Sequence, residues 1–247
     1  MTGIPSDLSA AIAQAQTATQ AAIAAGLTRI EVSLAFPELK VMPVAAQFLG
    51  VLADYGDRLT IFFPDAGAAA LARRNWSQPE TGLPFDINDV GSGRTPMTGN
   101  VRPEAECFLF IEPSDVEVLQ VEELCNQIGD RPVIFLNPRL ENIATIGIGY
   151  AGRQLRERFL STIEPAYYLK PIEGAAILRA YPQPWQVWRE PASDSDPYTL
   201  AAELPQRPSI ETLAEIFAPT NPDGTSSAPT GGGFLSQLQQ FIRALSQ

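Results

Sequence analysis

The chain has 247 residues, 45% hydrophobic and 18% charged, enough to bury a substantial core as one large domain or two small ones. Its 17 basic and 28 acidic residues leave a formal charge of −11, which repels phosphate backbones and anionic lipid and argues against nucleic acid as a partner. It has no histidine, which excludes Ser-His-Asp and Cys-His nucleophilic systems, HExxH zinc sites and facial-triad iron sites, and leaves carboxylate, lysine, tyrosine or bound-metal chemistry.

The segment Met1 to Ser6 has neither the basic nor the apolar part of a secretory signal, and no run approaches the roughly 18 apolar residues of a membrane span. A cytoplasmic protein is expected, with Cys107 and Cys125 as small core residues in a reducing compartment. Residues 6 to 25 form an Ala-rich helix that starts at a Pro5-Ser6 cap and stops at Gly26. Arg29 to Phe36 (RIEVSLAF) reads as a strand, and Pro37 opens a helix that turns Leu39, Met42, Ala45, Ala46, Leu49 and Leu52 inward.

Leu59 to Phe63 (LTIFF) is nearly continuously apolar, the mark of a strand covered on both faces, and Pro64-Asp65 opens a helix to about Asn75. Between Trp76 and Pro103 the pattern dissolves into Pro, Gly, Ser and Asp, predicting a surface excursion with at most a short helix or strand. Cys107 to Ile111 (CFLFI) is the next strand. A capping-box pattern, Ser114 to Glu117, then starts a helix through Ile128, and Val133 to Leu136 (VIFL) is a further buried strand ending at Asn137-Pro138-Arg139.

Four strands alternating with helices argue for an α/β fold, a mainly parallel sheet with helices on both faces. A helix at about 153 to 163 precedes three closely spaced strands, Ala166 to Ile172, Ala175 to Tyr181 and Trp185 to Arg189, which are too close to be parallel. They predict an antiparallel C-terminal extension, closed by a helix at about Ser209 to Phe217.

Residues 1–218 therefore form the α/β domain, and 219–233, which lack large apolar side chains, form a linker. Residues 234–247 form an amphipathic helix with Phe234, Leu235, Leu238, Phe241, Ile242 and Leu245 on one face. A helix this short needs a surface for that face: its own domain, a groove on a partner, or a membrane surface, to which Arg243 as its single basic residue would add little attraction.

Three further groups are candidates. Gly147-Ile148-Gly149-Tyr150-Ala151-Gly152 matches GxGxxG, but the strand before it is short and the helix after it opens on Arg153, Gln154 and Arg156, so a Gly-rich loop is the better reading and no cofactor is expected. The strand ends offer Asp65, Asn137 and Arg139 as a ligand site, with Arg153 or Arg156 as a cation for an anionic ligand, although helix caps and a turn also explain the first two. Arg179, Tyr181 and Trp185 form a secondary interaction patch on the antiparallel edge, with Arg179 and Tyr181 on one face and Trp185 opposite Trp188; a core role for such aromatics is the alternative.

The order of these elements, with the Phe63-Pro64-Asp65 and Asn137-Pro138 strand ends, the Tyr167-to-Glu173 strand and the Tyr181-Pro182-x-x-Trp185 turn, resembles the DUF1995 family of cyanobacteria and chloroplasts over about residues 5 to 217. Members of that family are associated with photosystem II assembly, and the domain also occurs fused to adenylate kinase in plants. The resemblance implies a cyanobacterial auxiliary protein without a transit peptide, binding a photosynthetic membrane-protein complex at the thylakoid surface, and it supplies no catalytic residues. A small-ligand or nucleotide-binding enzyme using strand-end carboxylates is the alternative.

Overall fold

The computed structural model describes residues 3–77, 83–91, 101–140, 150–191, 193 and 196–218. The linker at 219–233, the C-terminal helix with its six apolar residues, and Gly147 to Gly149 lie outside them. In chain order the elements are α1 (Leu8–Ala24), β1 (Arg29–Leu34), α2 (Val41–Phe48), a 3-10 stretch (Leu49–Arg58), β2 (Leu59–Phe63), α3 (Ala66–Trp76), β3 (Asp86–Asp89), β4 (Cys107–Ile111), α4 (Val118–Ile128), β5 (Val133–Leu136), α5 (Tyr150–Arg158), a 3-10 turn (Leu160–Thr162), β6 (Glu164–Ile172), β7 (Ala175–Ala180), β8 (Trp185–Arg189), β9 (Thr199–Leu204) and α6 (Ile210–Phe217).

All nine strands form one sheet in the order β3-β2-β4-β5-β1-β6-β7-β8-β9. Every pair from β3 to β6 is parallel, and β6 through β9 run antiparallel. This is the expected α/β architecture with its antiparallel extension. From the central strand β1 the chain moves to one side through α2, then returns through α4 and crosses β1 through α5. A constant crossover hand requires those two excursions to use opposite faces of the sheet, and the packing follows that rule.

On the first face α1, α2 and α3 cover Ile30, Val32 and Leu34 of β1, Ile61 and Phe63 of β2, and Ile134 and Leu136 of β5. On the second, α4 and α5 cover Phe62, Phe108, Phe110 and Phe135, and the rings of Phe62, Phe110 and Phe135 stack across three adjacent strands at 4.8 and 5.4 Å. Two-sided burial explains why β2, β4 and β5 read as unbroken apolar runs rather than alternating ones. Cys107 and Cys125 are free and buried in these two layers, as expected of small core residues. A third, smaller cluster of Tyr168, Ile177 and Trp185 is closed by Leu204 of β9 and Leu213 of α6.

Several local expectations shift. The cap of α1 is Asp7, not Ser6: its carboxylate accepts the Ala10 N–H at 2.8 Å, while the Ser6 hydroxyl donates to Asp7. The helix after β1 starts at Val41 rather than Pro37, so the first-turn proline is Pro43. Val44 and Phe48 point inward and Ala46 is exposed. Ser114 and Glu117 do bond, but one way only: the Glu117 carboxylate accepts the Ser114 N–H at 3.0 Å and its hydroxyl at 2.6 Å, the Ser114 hydroxyl oxygen accepts the Val116 N–H at 3.2 Å, and the helix begins after them at Val118. β9 has no counterpart in the sequence reading, because its Thr-Leu-Ala-Ala-Glu-Leu run lies exposed at a sheet edge and carries no sustained apolar alternation. Among the described residues no helix is long and apolar enough to cross a membrane.

Candidate functional site: a cleft over the central strand

Because β1, β2, β4, β5 and β6 are parallel, their carboxyl ends gather at one edge of the sheet, where open α/β folds place their ligands. Three non-glycine residues at that edge adopt left-handed backbone: Glu38 (φ 59°), Glu112 (φ 47°) and Asn137 (φ 49°). Asn137 explains its own. Its backbone N–H donates to the Val32 carbonyl at 2.8 Å, its side-chain Oδ1 accepts the Leu34 N–H at 2.7 Å, and its Nδ2 donates to the Leu34 carbonyl at 3.2 Å. The side chain thus extends the β1–β5 ladder beyond the last backbone pair, a clamp that asparagine can form while tolerating the left-handed region.

The other sequence-predicted strand-end residues are also tied down. Asp65 caps α3, its Oδ1 accepting the Ala68 N–H at 2.9 Å. Arg139 pairs with Glu112 at 2.8 Å, on the surface for the guanidinium and more enclosed for the carboxylate, and its N–H donates to the Pro113 carbonyl at 2.8 Å. Burial pushes the Glu112 carboxyl above its ordinary value, and the Arg139 charge and hydrogen bond offset that in part.

Two depressions flank this group. One, of about 1,050 Å³, lies beside β2 and β4, with Asp65, Ser114 and Asp115 in its wall. The other, of about 740 Å³, lies over β1 and shares Glu112, Pro138 and Arg139 with the first. Asn137 and Arg139 line the second and Asp65 the first, so the structure brings these three to one edge; Arg153 stands exposed on α5 and lines neither.

The cleft over β1 exists because the helical layer is interrupted there. Towards β5 the second face is covered by α4 and α5, ending in Leu160 and Ile163; towards β7 it is covered by the Tyr168–Trp185 cluster and α6. Between them the floor is formed by the second-face side chains of β1, Glu31 half-buried and Ser33 buried, and by Ala35 just past the strand. The Ser33 hydroxyl donates to Glu31 Oε1 at 2.6 Å. Facing them, the Arg207 guanidinium lies 4.2 Å from the centre of the Tyr168 ring and donates to the Tyr168 hydroxyl. It also approaches Trp185 at 5.9 Å. Burial raises the Tyr168 phenol, Arg207 opposes that, and the Glu31 charge adds to it.

Glu31, Ser33, Tyr168 and Arg207 were not singled out from the sequence. A signal for two of them was present: RIEVSLAF alternates strictly, whereas its neighbours LTIFF, CFLFI and VIFL do not. A strand at the centre of a parallel sheet that alternates has one face without an apolar cover. Arg207 carries no such signal, since it lies in a Pro-rich connection between β9 and α6.

The Arg179, Tyr181 and Trp185 group divides. Arg179 stacks over Trp185 at 6.0 Å, but Trp185 is only 5% exposed and belongs to the third core cluster, while Tyr181 packs against the first face. The expected shared face of Arg179 and Tyr181 fails because β7 ends at Ala180 and its alternation ends with it. Trp185 and Trp188 do lie against opposite layers. Among the described residues no group of three or more Cys, Asp or Glu side chains is placed to hold a metal ion.

Over residues 5–215 the chain is matched by a family described as a domain of unknown function, DUF1995. The chain belongs to the DUF1995 family. The DUF1995 match takes in all nine strands and the whole lining of the cleft, and it ends within α6.

Proposed function

We propose that this DUF1995 protein is a binding protein, an auxiliary factor that recognises a photosynthetic membrane-protein complex, with photosystem II as the complex to test first. The observation that carries the reading is the condition of the polar and charged strand-end groups. Asp65 holds a helix terminus, Asn137 holds two strands together, and Arg139 and Glu112 hold each other. Such groups build a shaped rim suited to recognition. The complex itself comes from the family association described with the sequence, and the amphipathic segment 234–247 supplies a second element of attachment at the thylakoid surface.

The test is affinity isolation of the tagged full-length protein from detergent-solubilised photosynthetic membranes, in parallel with a chain ending at Ala218. Enrichment of photosystem II subunits over the other membrane complexes is expected with the full chain, and weaker enrichment with the shortened one. Equal retention by both removes the terminal segment from the mechanism, and no enrichment by either refutes the reading.

The cleft of about 740 Å³, within the range of pockets that enclose small ligands, favours one second reading: a small-ligand or nucleotide-binding enzyme with Glu31 and Glu112 as its carboxylates. A thermal-shift panel of nucleotides and divalent metals separates the two, because a ligand that binds only the folded state raises its apparent stability.

A further inference from the structure

The antiparallel end of the sheet is roofed differently from the rest. Each helix from α1 to α5 buries at least two residues, whereas no residue of α6 is buried, and Ile210 at its start is 83% exposed. The residues beneath are closed off all the same. Tyr168, Ile177 and Trp185 are at most 5% exposed, and the Tyr168 and Trp185 rings lie 5.3 Å apart. α6 and the stretch leading into it therefore shield an aromatic surface without being embedded in it.

The way this segment is fastened is equally light. Pro205 and Pro208 have no N–H to give a neighbouring strand, and among the described residues the backbone hydrogen bonds of 205–217 stay within the segment, as from the Leu213 N–H to the Ser209 carbonyl at 3.0 Å. The Ser209 hydroxyl caps α6 through the Thr212 N–H at 3.2 Å, so the helix carries its own start with it. Side chains fasten it at three places: Arg207 on the Tyr168 ring and hydroxyl, Leu213 on the third core cluster, and Phe217 under the Arg189 guanidinium at 5.1 Å. Few buried apolar contacts and no backbone tie put such a segment at the low end of local stability. The strands below do not need it, since β6, β7 and β8 are each paired on both sides.

From this arrangement we infer that residues 205–217 are a hinged cover, which swings off the second face as a unit from the end of β9 while the sheet stays folded, with Arg207 as its latch. Its position gives the motion a consequence, because Tyr168 and Arg207 also line the cleft over β1. With the cover lifted, the cleft opens sideways onto Tyr168, Ile177 and Trp185 and becomes a longer aromatic trough across β1, β6, β7 and β8. A partner that uses this trough selects the open form, so the latch sets part of its affinity. The device goes beyond the binding-protein reading and is the same whichever partner is bound.

The test uses the full-length protein with Ile177→Cys, which places a thiol on β7 beneath the cover. Native Cys107, buried in β4, serves as the internal reference, reached only when the sheet itself opens. Labelling by a thiol-specific disulfide reagent under native conditions is followed site by site by mass spectrometry. The introduced thiol is expected to label about a hundredfold or more faster than Cys107. Adding Arg207→Ala should speed it by a further factor of about five or more and leave Cys107 unchanged. Glu215→Gln, at an exposed position on α6, should change neither rate.

An introduced thiol that labels no faster than Cys107, or at a rate indifferent to Arg207→Ala, overturns the inference. Equal acceleration of both thiols by Arg207→Ala also overturns it, by showing that Arg207 holds the whole fold rather than a cover. Should Ile177→Cys fail to fold, hydrogen exchange on the unsubstituted chain and on Arg207→Ala decides. Amides of 212–217 that exchange faster than those of β7, and faster still without the latch while β7 is unmoved, support the cover; amides as slow as those of β7, or indifferent to the latch, refute it.

Discussion

Replacing Asn137 with alanine tests whether this strand-end residue is a clamp rather than a ligand-binding group. The substitution removes two side-chain hydrogen bonds, to the Leu34 N–H and carbonyl, each contributing about 0.5 to 1.5 kcal/mol. Leu34 is 1% exposed, so water does not readily replace them. Alanine at φ 49° adds about 1 to 2 kcal/mol of left-handed strain. The expected loss is about 3 kcal/mol, read by equilibrium urea unfolding as a shift in midpoint of about 1 M or more at an unchanged slope.

Two companions divide the loss. Asn137→Gly loses the bonds but relaxes the backbone, and should be about 1 kcal/mol more stable than the alanine variant. Asn137→Asp keeps the acceptor for the Leu34 N–H but loses the donor, and should fall between alanine and the parent. An alanine variant within about 0.5 kcal/mol of the parent, inside the range of ordinary surface substitutions, or a glycine variant less stable than alanine, refutes the clamp.

Asp65→Ala should cost about 0.5 to 2 kcal/mol through loss of the α3 cap, with Asp65→Asn recovering most of it; equal thermal shifts for the two would contradict the capping role. Burial pushes the Cys107 and Cys125 thiols up to about 12, so neither should react with a thiol-specific disulfide reagent at pH 8 in the folded protein, and both should react in denaturant. Fast labelling of either while the protein is folded would contradict their placement.

For Glu112 the sign follows from proton linkage. Its folded carboxyl titrates above the ordinary 4.5, so through that window the folded state binds more protons than the unfolded one. Its contribution to stability is therefore greatest below 4.5 and is lost as pH rises through the folded value. Glu112→Gln should flatten this decline in a urea series from pH 4 to 7; a steeper decline would show that Arg139 outweighs burial.

Most of the fold was legible because burial on two faces writes itself into sequence. LTIFF, CFLFI and VIFL can be strands only where both sides are covered, and the observed strands span those residues. Helix starts were less legible, since Ser6 and Asp7 are both good caps and Pro37 and Pro43 both suit a first turn. Only the tertiary direction of each chain segment chooses between them. Exposed β9 was missed for the opposite reason, as an edge strand needs little apolar content.

The candidate site was legible in part. Asn137 and Arg139 reach the cleft, and Asp65 the neighbouring depression. Local chemistry already accounts for all three. The floor residues Glu31 and Ser33 were written in the alternation of β1, but their meaning depends on knowing that β1 is central, which no single segment reveals. Tyr168 and Arg207 meet across 39 positions, beyond the reach of any local pattern.

The placement of β1 also governs when the protein can acquire its shape. Its two neighbours are Val133–Leu136 and the strand beginning at Glu164, so a chain emerging from the ribosome carries Ile30, Val32 and Leu34 with neither bordering strand through its first half, and lacks the second until well past its midpoint. Long-range closure of this kind is slow and leaves sticky intermediates. A nascent chain stalled before residue 164 would hold an open seam down the middle of its sheet, and chaperone dependence during synthesis should fall sharply once that residue clears the exit tunnel.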